Sequence, residues 1–120
     1  MAPFSHVVTS DRWLFVTGQV PTDPNDDAAP LPDGFEAQTR RVIENLKCEL
    51  AGVGSGLDCV VFARVYLTHF QRDYAAVNAV YQSYFVPRHL PARTCISVSF
   101  RGNGILAVPL GLEAVDVNFC

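Results

Sequence analysis

The sequence predicts an α+β chain with the element order β-β-α-β-α-β-β, and three observations lead there. Apolar residues recur at helical spacing in two stretches, 35–53 and about 72–85. Around them stand runs rich in β-branched and aromatic residues, closed off by turn-forming residues. The length of 120 residues allows one domain, 1–120, with a limited core, so a further copy of the chain would help to bury apolar surface.

Residues 4–10 and 13–20 read as two β-rich runs joined by a turn at Asp11-Arg12. Trp13-Leu14-Phe15-Val16 is too apolar to keep one face in water, and reads as a strand buried on both faces or against a partner. Gly18 interrupts the run, either as a bulge or as a place where another backbone or a ligand comes close. The stretch 21–33, rich in proline and aspartate, is a surface loop.

The helix over 35–53 sets Val42, Ile43, Leu46, Leu50 and Val53 on one face. Glu36/Arg40 and Arg40/Glu44 form i,i+4 pairs on the other. Asp33 is placed to cap its start, and Gly52 with Gly54-Ser55-Gly56 ends it. Residues 59–67 make a central strand. The second helix, 72–85, lines up Tyr74, Val77, Tyr81 and Tyr84, a stripe that reads as core. Pro91 then opens a strand with Cys95, Ser97 and Ser99 on one face and Ile96 and Val98 on the other. Arg101-Gly102-Asn103-Gly104 is a turn, and the last run, 105–118, is bent or bulged by Pro109 and Gly111. Two helices on one face of a mixed sheet leave the other face apolar, which calls for a partner.

Charge and composition exclude several function classes. A net charge of −3, with no run of lysine or arginine, lacks the basic footprint of a nucleic-acid groove. No apolar run reaches the roughly 18 residues that span a bilayer, so no membrane is expected. Hydrophobic residues make up 49% of the chain, enough for a dense core or an apolar surface that meets another chain. Cys48, Cys59, Cys95 and Cys120 show no metal-binding spacing, so reduced thiols in a cytoplasmic protein without metal or cofactor are expected.

Arg93 stands at the very start of the strand after Pro91. It reads as a strand-end surface charge, or as a planar fork of donors suited to a carboxylate or phosphate. Cys95, two residues on, points to the same side and reads as a small buried hydrophobe or a pocket thiol.

The stretch Pro91-Ala92-Arg93-Thr94-Cys95 resembles the signature of the RidA (YjgF) family. Phe4-Ser5-His6-Val7 and Phe15-Val16-Thr17-Gly18-Gln19-Val20-Pro21 resemble that family's first hairpin. Glu36-Ala37-Gln38-Thr39-Arg40 with Glu44-Asn45-Leu46 resembles its first helix, and Val77-Asn78-Ala79-Val80-Tyr81 with Tyr84-Phe85 its second. The resemblance implies a chorismate-mutase-like fold, a homotrimer with a central barrel, and ligand sites in clefts between subunits. It implies hydrolysis of a reactive imine or enamine, such as 2-iminopropanoate, to a carbonyl compound and ammonia. Arg93 would bind the substrate carboxylate. Thr17, Gly18 and Cys95 would line the pocket, and Phe4, Phe15, Tyr84 and Phe85 are candidate walls.

Two positions depart from the family's pattern. Its final-strand glutamate corresponds to Gly111, and its first-strand tyrosine to Phe4. Glu113, one pleat beyond Gly111, is the candidate replacement, and His6 or Cys95 are others for proton transfer. The departures leave two readings. One is a deaminase, or a relative with altered chemistry; the other is a non-catalytic trimer that binds small carboxylates or acts like a chaperone.

Overall fold

The computed structural model describes residues 3–19, 21–23, 25–26, 28–30 and 32–98, and the backbone of 110–118. Its strands are β1 (Val7–Ser10), β2 (Trp13–Val16), β3 (Val60–Leu67), β4 (Ala92–Ser97) and β5 (Leu110–Asn118). Its helices are α1 (Gly34–Gly52) and α2 (Phe70–Gln82), with single 3-10 turns at Leu57–Cys59 and Pro87–His89. The expected α+β order holds. The Arg101–Gly104 turn and the bulge at Pro109 lie outside the described residues.

One five-stranded sheet has the order β1-β2-β5-β3-β4. The β3–β4 pair is parallel, bridged by α2 as a β-α-β crossover, and the other pairs are antiparallel. The last strand in sequence therefore lies in the middle of the sheet, and the hairpin and β4 form its two edges.

From Phe62 onward, alternation gives β3 two unlike faces. Ala63, Val65 and Leu67 are buried under the helices, while Phe62, Arg64 and Tyr66 look to the other side. On α1 the expected stripe is buried at Val42, Ile43, Leu46 and Leu50, with Val53 packed at its margin. Leu14 and Val16 from β2 and Val77, Tyr81 and Phe85 from the α2 region complete the core. Two side-chain bonds tie the proline-rich loop onto α1. Gln38 Nε2 donates to the Pro32 carbonyl at 2.9 Å, and Asn45 Nδ2 donates to the Thr22 carbonyl at 2.9 Å.

Several expectations need correction. Trp13-Leu14-Phe15-Val16 is not buried on both faces within the chain: Leu14 and Val16 are buried, but Trp13 and Phe15 are exposed on the helix-free face, the side on which the alternative of a partner bears. Both hairpin strands are shorter than expected, beginning at Val7 and ending at Val16. Asp33 occupies the N-cap position of α1 but makes no side-chain capping bond. The second helix runs two residues earlier than its apolar stripe suggests, and Tyr74 sits exposed at its end of that stripe. Cys59 is in a disulfide, whereas Cys48 and Cys95 are free thiols, so the thiols are not all reduced. Sequence spacing carries no trace of a sulfur brought to Cys59 by folding.

Candidate active site

Arg93 is the second residue of β4, where the parallel register pairs it with Ala63. Neighbours in register share a face, so Arg93 and Cys95 lie on the helix side of the sheet, at its edge. Tyr74, Asn78 and Tyr81 follow one another at i, i+4 and i+7 on α2 and so share one helix face. All three meet Arg93. Its Nη2 donates to Asn78 Oδ1 at 2.7 Å. The guanidinium carbon sits 4.9 Å from the centre of the Tyr81 ring and 5.9 Å from that of Tyr74, within cation–π range.

Among the described residues no carboxylate neutralises Arg93. A half-buried, oriented guanidinium with spare donors has the chemistry to receive an anion. Cys95 lies two residues further along the same face. Burial pushes its thiol up and the nearby Arg93 pulls it partly back, so it stays protonated near neutral pH and is not primed as a nucleophile.

The other expected residues lie elsewhere. Thr17 and Gly18 follow β2 directly, and the Thr17 amide donates to the His6 carbonyl at 2.9 Å, closing the mouth of the hairpin. Phe4 precedes β1, is exposed, and meets His6 edge-to-face. β5 and β3 stand between β2 and β4. Three strand spacings, about 14 Å, therefore separate the Thr17–Gly18 edge from the Arg93 edge.

Phe85 is a core residue, with its ring 4.7 Å from that of Tyr81. The β5 register sets Gly111 opposite Tyr66 and Glu113 opposite Arg64. Those are positions of the helix-free face, so in one chain Glu113 and Arg93 belong to opposite faces of the sheet. His6 is paired with Glu49 of α1, Nδ1 to Oε1 at 3.4 Å. Among the described residues no group of three or more His, Cys, Asp or Glu side chains is arranged to hold a metal ion. None of the described helices is long and apolar enough to cross a membrane.

Sequence reasoning missed Asn78 and Tyr81 as partners of Arg93. Asn78 stood in a quoted motif and Tyr81 in the apolar stripe. A polar residue one turn from two tyrosines was the available signal.

The sequence profile of the Endoribonuclease L-PSP family matches residues 1–106. The 3-aminoacrylate deaminase RutC of Acinetobacter baylyi is 38% identical over 98 residues, covering 82% of this chain and 75% of that protein. A RutC family protein of Pyrococcus abyssi is 38% identical over 99 residues, covering 82% and 76%. Among solved structures, yeast Mmf1 superposes with a TM-score of 0.85 at 30% identity, covering 98% of this chain and 89% of that one. TdcF of E. coli, solved with bound serine, gives a TM-score of 0.82 at 27% identity, covering 98% and 90%. Sequence signature, sheet order and these likenesses agree, and the chain belongs to the RidA (YjgF) family, whose relatives include RutC.

Proposed function

We propose that this protein holds a small 2-imino or 2-oxo carboxylate on Arg93 and hydrolyses an imine or enamine there, adding water to the C=N carbon and releasing ammonia. The observation that carries the reading is Arg93 itself, held by Asn78 and Tyr81 with no carboxylate of its own among the described residues. A relative named as a 3-aminoacrylate deaminase and one solved with bound serine support the substrate class.

The site is shared between chains in this reading. Arg93 and Cys95 would supply one half, and Thr17, Gly18 and Phe4 of a second copy the other, since one chain holds these sets at opposite sheet edges. Val8, Trp13, Phe15 and Ile96 are exposed large apolar residues, and burying them between copies would close a homotrimer around the helix-free face. No nucleic acid or membrane enters the reading, and the net charge of −3 supports that despite the name of the family profile. The compartment proposed is the cytoplasm; the Cys59 disulfide is the feature that stands against it.

The test is a coupled assay in which an amino-acid oxidase generates 2-iminopropanoate while semicarbazide competes for it. Wild type should suppress semicarbazone formation and Arg93→Ala should not; an unimpaired Arg93→Ala variant removes the anchor from the mechanism. The second reading, a non-catalytic carboxylate binder, rests on Gly111 standing where the family pattern has a glutamate. It expects 2-oxo acids to raise the melting temperature without any turnover.

A further inference from the structure

Tyr81 is only 5% exposed, and its hydroxyl oxygen has no hydrogen-bond partner among the described residues. A buried hydroxyl left unpaired is costly, because it loses its water and gains nothing in exchange. The packing does not require that oxygen. The Tyr81 ring lies tilted by 38° against Phe85 and packs in the core, which phenylalanine would do equally well. What sets the position apart is the guanidinium of Arg93, 4.9 Å from the ring centre. Asn78 already takes one N–H of that guanidinium, which fixes its plane and leaves its other donors for a ligand.

We propose that the Tyr81 hydroxyl is a second hydrogen-bond donor to the ligand carboxylate held by Arg93. The proposal rests on the anchoring role of Arg93 argued above and adds a residue to it. Burial pushes the Tyr81 phenol up, with Arg93 opposing only in part, so the group remains an O–H donor throughout the physiological range rather than a proton-transfer acid. Donors from β4 and α2 would then fix both the position and the plane of one carboxylate. A ligand whose carboxylate is replaced by a neutral ester would lose both contacts.

Tyr81→Phe removes a single oxygen and keeps the ring, so it separates the two roles. Binding of 2-oxobutanoate to the intact protein, measured by calorimetry, should weaken about 10- to 100-fold, as for a lost hydrogen bond to a charged group. The melting temperature of the unliganded variant should stay the same or rise, because no partner is orphaned. Wild-type affinity in Tyr81→Phe overturns the proposal, and so does weakened binding accompanied by a lower melting temperature. Arg93→Ala distinguishes the two layers. If it still binds 2-oxobutanoate, the anchoring reading fails and the Tyr81 proposal with it; if it loses binding while Tyr81→Phe keeps it, only the proposal fails. Wild type that does not bind sinks both.

Discussion

The two edges of the sheet are finished to different degrees. At β4 the chain supplies everything that orients Arg93: a proline entry, a parallel neighbour in β3, and an amide and two tyrosine rings from α2. At the hairpin edge Thr17 is fixed only through its backbone, Gly18 is open, and Phe4 projects into solvent. In the proposed two-chain site this difference would decide where each half gets its order. The anchor would be pre-organised before a ligand arrives, which lowers the entropy cost of binding. The complementary half would gain its shape from what packs against it.

The sharpest test of that contrast joins two defective chains. A Cβ at Gly18 meets no atom within 4 Å in the single chain, so Gly18→Leu should fold normally while blocking a cleft shared with another copy. Arg93→Ala should lower kcat/KM by about 10²–10³, as truncation of a desolvated charge pair does. Gly18→Leu alone should be similarly inactive. Co-expressed in equal amounts, the two would give mixed oligomers in which about a quarter of the shared sites combine an intact Arg93 half with an intact Gly18 half. Recovered activity near that fraction supports the two-chain site; none confines the site to one chain.

β2 carries the contrast in a single strand. Leu14 is completely buried under the helices, while Phe15, the next residue, is 41% exposed. Leu14→Ala should cost about 3 kcal/mol through lost burial and the cavity left behind, lowering the melting temperature at any protein concentration. Phe15→Ala should barely disturb the isolated chain. Its effect should appear as a smaller mass in sedimentation and a melting temperature that rises with concentration. Equal, concentration-independent losses in both variants would mean that the helix-free face meets no partner.

How much of this could be read beforehand follows from which facts are periodic. The α1 stripe from Val42 to Leu50 and the alternation of β3 announce themselves, because burial there repeats with the element's own period. Arg93 was legible through a local motif with a rigid proline before it. Its contacts with Asn78 and Tyr81 were not, since they join residues fifteen and twelve positions away through the crossover packing of α2 on β3 and β4. The resemblance implied a cleft between subunits, but not which residues fall on which side of it. Gly18 and Arg93 sit in equally suggestive motifs, and only the strand order β1-β2-β5-β3-β4 sets the strands they flank three spacings apart. The capping role of Asp33 failed for a related reason: its type and position were right, but no side-chain bond forms.

A smaller effect should come from Asn78. Its carbonyl oxygen accepts one bond from Arg93. Asn78→Ala should therefore loosen the guanidinium without removing its charge. KM should rise roughly tenfold with kcat within a factor of about three, the signature of a weakened ground-state anchor. A collapse of kcat at unchanged KM would instead place Asn78 in the chemical step.

The smallest effect is expected at His6, one of the candidates the sequence offers for proton transfer. Its imidazole reaches Glu49 of α1 at 3.4 Å, with 70% of its own side chain in solvent. Exposed pairs of this kind contribute about 0–1 kcal/mol and are weakened further by salt. The pairing also turns His6 toward the helix layer, whereas Gly111 and Glu113 hold positions of the opposite face. His6→Ala should leave kcat/KM within about twofold of wild type, with no change in the shape of the pH–rate profile. Loss of one limb of that profile in His6→Ala would restore His6 as the proton carrier. The hairpin edge would then be a working half of the site in its own right, and the ordered anchor at β4 would no longer be the only part organised within one chain.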